Sequence, residues 1–163
     1  MANQIVIRQA SARDFAAVAD VMFDAVRHCR SKYTEEQRRA WVPRPRSGPD
    51  WNKRLESQTI FVAVLEAELI GFMSLAAYGY IDFAYVRPSA QGTGVFRRLY
   101  ESIETLAFQT GERYLWVHAS LMAQPAFAAM GFAITKNETV EIDGQCLDRF
   151  EMQKPIADAE STG

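Results

Sequence analysis

Residues 80–107 read YIDFAYVRPSAQGTGVFRRLYESIETLA, and few folds can accommodate them. The first half is a β-rich apolar run ending at Pro88. The second half spaces Val95, Phe96, Leu99, Ile103, Leu106 and Ala107 along one face of a helix. A strand must therefore enter a helix through Gln91-Gly92-Thr93-Gly94. The N–H groups that open a helix have no partner within it and are free to bind an anion. Gly92 and Gly94 carry no Cβ, so a phosphate can approach the main chain closely. Arg97 and Arg98 place positive charge in the first turn, against the helix dipole, where an anionic ligand accounts for it. The stretch predicts a phosphate site.

Elimination narrows the ligand. No Lys-Ser/Thr follows Gly94, so the Mg²⁺-binding hydroxyl of a nucleoside triphosphatase loop is missing. The dinucleotide fingerprint fails as well, because Arg97 stands where its third glycine belongs. With 163 residues and 48% hydrophobic composition, the chain suits one domain spanning 1–163, with a core over about 4–154 and a polar tail from 157 that is expected to fray. A net charge of −2 argues against a nucleic-acid binder and for a small partner. No apolar run approaches the roughly 18 residues of a membrane span, and the N-terminus lacks a basic-then-apolar leader, so a cytoplasmic protein without membrane partners is expected. Cys29 and Cys146 lie far apart without a Cys-x-x-Cys pair, which predicts two reduced thiols and no metal.

Along the chain, residues 5–8 read as a strand, and Ser11 precedes an amphipathic helix carrying Phe15, Val18, Val21, Met22 and Val26. Thr34-Glu35-Glu36-Gln37 is a capping box that starts a second helix ending near Trp41. Residues 38–54 mix five arginines with Trp41 and Trp51 around three prolines. They read either as a solvated loop with its tryptophans tucked inward or as a surface that stacks on an anionic or aromatic ligand. Runs 59–65 and 69–77 form a hairpin, followed by the strand through Val86 and the central helix, which stops at Gly111. Residues 114–119 form a strand, and 122–130 a short helix with Pro125 in its first turn. Residues 132–152 fold into a hairpin about Asp143-Gly144. The order β-α-α-β-β-β-α-β-α-β-β predicts an α/β (α+β) protein whose mixed, mostly antiparallel sheet is flanked by helices.

Val86, Pro88, Gln91 and Gly94 spell Val-x-Pro followed by Gln-x-x-Gly, which resembles the coenzyme A pyrophosphate loop of the GNAT superfamily of N-acetyltransferases. Ser120, Ala123, Phe127, Gly131 and Phe132 partly meet a second motif of that family, and the element order resembles its fold over roughly residues 4–154. The resemblance implies the acyl-CoA N-acyltransferase fold, in which strands four and five splay apart, here between 82–86 and 114–119. Acetyl-CoA is the implied cosubstrate. Tyr85 and Val86 are then expected to bond pantetheine through their main chain, while Gln91, Gly92, Thr93, Gly94, Val95 and Phe96 hold the pyrophosphate. Phe127 takes the place of the tyrosine that many members use to protonate the departing thiolate. Phe96, in place of a small residue, either packs into the core or crowds the cofactor.

Acetyl transfer needs a neutral amine, and an alkylamine of pKa about 10.4 is only on the order of one part in a thousand neutral at pH 7. That corresponds to roughly 4 to 5 kcal/mol of barrier, so a base is useful. Asp82 is the first candidate, by alternation with Ala84 and Val86 on one strand face; the competing reading is a hydrogen-bonded strand aspartate. Ser120 could bond pantetheine or a water, or be a turn serine. His118 shares its strand face, and a lone histidine is either a base or a satisfied structural group. His28 reads as a surface or acceptor-side group, and Tyr80 as a donor or a packed aromatic. Backbone N–H groups near Val86 would meet the oxyanion.

The expected reaction is acetyl transfer from acetyl-CoA to a primary amine of a small molecule or peptide by direct attack in a ternary complex. The alternatives are a noncatalytic acyl-CoA-binding or sensing domain, or an enzyme acetylating protein N-termini or lysines. A closed pocket beneath Trp41 and Trp51 would favour a metabolite, and an open acidic groove a protein. The sequence leaves a homodimer open.

Overall fold

The computed structural model describes residues 4–156, so the polar tail from 157 lies outside the described residues. Their strands form two four-stranded sheets that meet at one splayed seam. The first sheet has the order β1-β2-β3-β5, from β1 (Val6–Gln9), β2 (Thr59–Leu65), β3 (Glu68–Leu75) and β5 (Ala84–Val86), all antiparallel. The second has the order β4-β6-β8-β7, from β4 (Tyr80–Ile81), β6 (Tyr114–Ser120), β8 (Gln145–Pro155) and β7 (Ala133–Ile142). Only β4 and β6 run parallel.

Helices cover both faces. α4 (Val95–Gln109) lays Val95, Leu99 and Ile103 on one face of the first sheet, within a core shared with Met73, Leu115, Phe127 and Met152. α1 (Phe15–His28) and α3 (Pro49–Glu56) cover the other face, burying Val18, Met22, Trp51 and Leu55 against Val62, Phe72 and Phe83. Close approach of α4 needs Gly71 on β3. A Cβ there would stand 3.1 Å from the Tyr85 carbonyl and 3.2 Å from Val95 Cγ1, tighter than most packed contacts.

Local chemistry explains most boundaries. Thr34 Oγ1 accepts from the Gln37 N–H at 3.0 Å and Gln37 returns the bond at 2.7 Å, which starts α2 (Glu35–Trp41). Asp143 and Gly144, both at positive φ, close the β7–β8 hairpin. α5 (Gln124–Ala129) carries Pro125 in its first turn. Cys29 and Cys146 are free thiols.

Two expectations fail. Residues 49–56 are helical rather than loop, because Gly48-Pro49 opens a turn and Trp51 and Leu55, four apart, bury one face. The strand expected through Val86 is broken into β4 and β5, which belong to different sheets. Phe83 turns inward between them, its ring 5.4 Å from Trp51, and its N–H is satisfied by the buried Ser74 hydroxyl at 3.0 Å. Burying that ring moves the chain from one sheet to the other and opens the seam.

Candidate active site

The seam holds a cavity of about 450 Å³ between β5, β6, the end of α1 and the N-terminus of α4. On β5 the ladder to β3 uses Phe83, Tyr85 and Arg87, as in the bonds Ser74 N–H to Phe83 O (2.9 Å) and Arg87 N–H to Ile70 O (2.8 Å). Alternation in an antiparallel pair then turns the N–H and C=O of Ala84 and Val86 away from β3, into the seam. Tyr85 was expected to offer its main chain. Its backbone instead belongs to the β3 ladder, and it reaches the cavity with its ring, which packs on Trp41 and Phe72.

Below the seam, Gly92 and Gly94 adopt φ of +79° and +86°, and a Cβ on either would meet nothing within 4 Å. The first intrahelical bond of α4 runs from Arg98 N–H to Gly94 O at 3.1 Å, and no side chain caps the end. The N–H groups of Val95, Phe96 and Arg97 are therefore without partners among the described residues. Main-chain amides facing open, Cβ-free space fit a diphosphate. Gln91, Gly92, Gly94, Val95, Phe96 and Arg97 line this floor. Thr93 does not, since its hydroxyl turns back to the Ala90 carbonyl and fixes the loop. Arg98 is also turned away, donating to Ile5 O at 2.8 Å. Phe127, expected at the cofactor, is fully buried and packs edge-on between Phe96 and Phe132, each 5.1 Å from it. Phe96 packs against the core, its ring edge-on to Phe127, and the residue also lines the cavity.

A second, smaller cavity of about 150 Å³ adjoins the first, and Tyr33, Trp41, Tyr85 and Ser120 line both. Strand β6 alternates strictly, burying Leu115, Val117 and Ala119 while Trp116, His118 and Ser120 face the other way. The Ser120 Oγ accepts from Ala123 N–H at 3.0 Å, which leaves its own O–H free to donate. His118 Nδ1 lies 3.0 Å from the Tyr80 hydroxyl. Burial, helped by the Arg149 charge, holds the His118 pKa below the ordinary histidine value, so the ring is neutral at pH 7. Burial and the nearby Asp82 charge push the Tyr80 phenol up.

Asp82 lines this cavity too, but not from a strand face: it lies in the crossing between β4 and β5. Arg54 grips its carboxylate with two bonds of 2.7 and 2.9 Å, and Gln58 adds a third at 2.9 Å. Trp51 is in the core and not on the cavity wall; Trp41 is on it. His28 bonds Asp24 at 2.8 Å and lines neither cavity. Sequence reasoning missed Tyr33, whose hydroxyl donates to Asp148 O at 2.6 Å and accepts from Leu121 N–H at 3.0 Å, tying the cavity junction to β8. No motif marks it. Among the described residues no group of acidic, His and Cys side chains could hold a metal, and no helix is long and apolar enough to cross a membrane.

Comparison with known proteins agrees with this geometry. The chain is 30% identical over 152 residues to the uncharacterized N-acetyltransferase YafP of Escherichia coli K12, covering 93% of this chain and 96% of that protein. A GCN5-related N-acetyltransferase from Rhodopseudomonas palustris superposes with a TM-score of 0.87 at 30% identity, over 95% of this chain and 98% of that one. A phosphinothricin acetyltransferase of Sinorhizobium meliloti, solved with acetyl-CoA, superposes at 0.73 with 20% identity over 98% of this chain and 92% of that one, a likeness of fold. Residues 29–154 match the acetyltransferase (GNAT) domain model, and the chain therefore belongs to the GNAT family of acetyl-CoA-dependent acetyltransferases.

Proposed function

We propose that the protein transfers the acetyl group of acetyl-CoA to the primary amine of a small molecule, within a ternary complex. One observation carries this reading: a cavity suited to the cofactor opens into a second, polar cavity at Ser120 and Tyr85, beside the main chain of Val86 that faces the seam. Gln91, Gly92, Thr93, Gly94, Val95 and Phe96 form the diphosphate loop, and Phe127 supports Phe96 from behind. Ala84 and Val86 offer their main chain to pantetheine, and the Val86 N–H meets the oxyanion.

The amine nitrogen attacks the thioester carbonyl, the C–S bond breaks, and the amine loses a proton. We assign that proton to the Tyr80–His118 pair: the phenol takes it from the amine and passes its own to the neutral imidazole. Asp82 already accepts three bonds, two of them from the Arg54 guanidinium, so its better role is to hold Arg54 at the cavity wall. We assign to the Ser120 O–H, left free by its bond from Ala123 N–H, a hydrogen bond to the departing sulfur. A thiolate of pKa about 8.5 needs no strong acid, which accommodates Phe127 where tyrosine is usual. The small cavity, walled by Trp41 and three arginines, favours a metabolite over a protein lysine.

The test is release of free CoA thiol from acetyl-CoA with a panel of small amines and lysine peptides. Turnover with small amines is expected; turnover confined to peptides would overturn the small-molecule reading, and tight acetyl-CoA binding with no turnover would overturn transfer itself.

A further inference from the structure

Three arginines line the smaller cavity, and they are not equivalent. Arg54 is neutralised by Asp82. Arg149 is neutralised by Glu138, with bonds of 3.0 and 3.1 Å. Arg46 has no carboxylate within 4.0 Å among the described residues. Among the described residues its one hydrogen bond goes to a neutral acceptor, the Trp41 carbonyl, at 3.0 Å, and its buried Nε has no partner. With His118 neutral, the cavity carries one uncompensated positive charge.

An uncompensated cation beside a partly desolvated cavity is costly unless a ligand supplies the counter-charge. A guanidinium offers paired donors in a fork that matches a carboxylate. The same charge disfavours a bare ammonium ligand, whereas an amine that also bears an acid brings its own compensation. The loop carrying Arg46 is fixed, because Arg27 donates to the Val42 and Pro43 carbonyls at 3.2 and 3.1 Å.

We propose that Arg46 determines acceptor specificity by pairing with an acidic group on the acceptor, so that the substrate is a compact amine carrying a carboxylate, such as an amino acid, rather than a simple amine. The proposal rests on the acetyl-transfer reading above. It is tested with matched pairs, an amino acid against the amine left by its decarboxylation, using phenylalanine and phenethylamine, histidine and histamine, and glutamate and 4-aminobutyrate. CoA release is followed for the wild type and for Arg46→Gln.

In at least one pair the member bearing the extra carboxylate should have the higher kcat/KM, by tenfold or more. Arg46→Gln should collapse that ratio toward one, mainly through KM, with CoA affinity unchanged because Arg46 does not line the larger cavity. A preference for the decarboxylated member across the pairs, or a ratio that survives Arg46→Gln, overturns the proposal. If no member is turned over, the transfer reading fails, and calorimetry of the same pairs against CoA-saturated protein decides the proposal separately. Tenfold tighter binding of the carboxylate-bearing member supports it, and equal affinity overturns it.

Discussion

The two cavities that meet at Ser120 are built by opposite means. The larger one is mostly main chain and apolar surface: the free edge of β5, the bare amides of α4 and the rings or methyls of Val95, Phe96 and Ala126. The smaller one is made of charged and hydroxyl side chains, Arg46, Arg54, Tyr80, Asp82, His118 and Arg149, gathered from α3, β4, β6, β8 and the loops between them. A main-chain site can tolerate change in almost any side chain that keeps the backbone, whereas a side-chain site is altered by single substitutions. One would bind the invariant cosubstrate and the other the particular acceptor, and the contrast predicts that they can be damaged separately.

The largest separation should come from Gly94→Val. Its φ of +86° suits glycine, and a β-branched side chain there is strained by about 1–2 kcal/mol while projecting into the space left open before the α4 amides. We expect CoA affinity to fall on the order of a hundredfold by calorimetry, with melting temperature changed by only a few degrees. Retained affinity would mean that the diphosphate lies elsewhere and that the larger cavity is not the cosubstrate site.

This contrast also decides what could be read from the amino-acid order. The loop at 91–96 and the helix after it are contiguous, so glycine spacing and helical periodicity point to them directly. The hairpins were legible for the same reason, since Asp143-Gly144 is a local signal. The split of the third strand into β4 and β5 was not, because it depends on Phe83 preferring the pocket made by Trp51 and Phe72, which no local pattern encodes. That one tertiary contact also moved Asp82 off the strand face on which its role as base was argued. Likewise Tyr33, Arg46 and Arg149 are separated by up to 116 positions and share no spacing, so their convergence on one cavity appears only in the fold. Phe127 was legible by motif position but not by environment, since its burial follows from the ring of Phe96 beside it.

A second effect, of about the same size, should be confined to the acceptor side. His118→Gln removes the imidazole proposed to receive the proton but leaves the α4 amides untouched, so kcat should fall by about 10²-fold with CoA affinity unchanged. The pH profile carries the sign. Because burial and Arg149 lower the His118 pKa, the neutral form persists at pH 7, and activity in the wild type should drop only as pH falls below the ordinary histidine value of 6.5. That acid limb should be absent in His118→Gln. An acid limb that survives the substitution would assign the proton to another group.

The smallest effect, and the one that distinguishes Asp82 as base from Asp82 as support, is expected for Asp82→Asn. If the carboxylate takes the proton, the variant should lose rate at neutral pH and recover part of it at high pH, where more of the amine is already neutral, and Arg54→Gln should behave differently. If it holds Arg54, the two variants should resemble each other, since each breaks the same pair of bonds at 2.7 and 2.9 Å. The geometry favours the second outcome: Arg54 is half-exposed, so the pair contributes no more than about 1 kcal/mol, and either variant should raise the acceptor KM by about three- to tenfold with an unchanged pH profile. Arg54 also stacks over the Phe83 ring at 4.5 Å, the residue whose burial opens the seam. Phe83 in turn packs on Tyr85, which lines both cavities, so loss of Asp82 should loosen that shared residue, and a slight fall in CoA affinity in Asp82→Asn, absent in His118→Gln, would locate the point at which the two sites stop being independent.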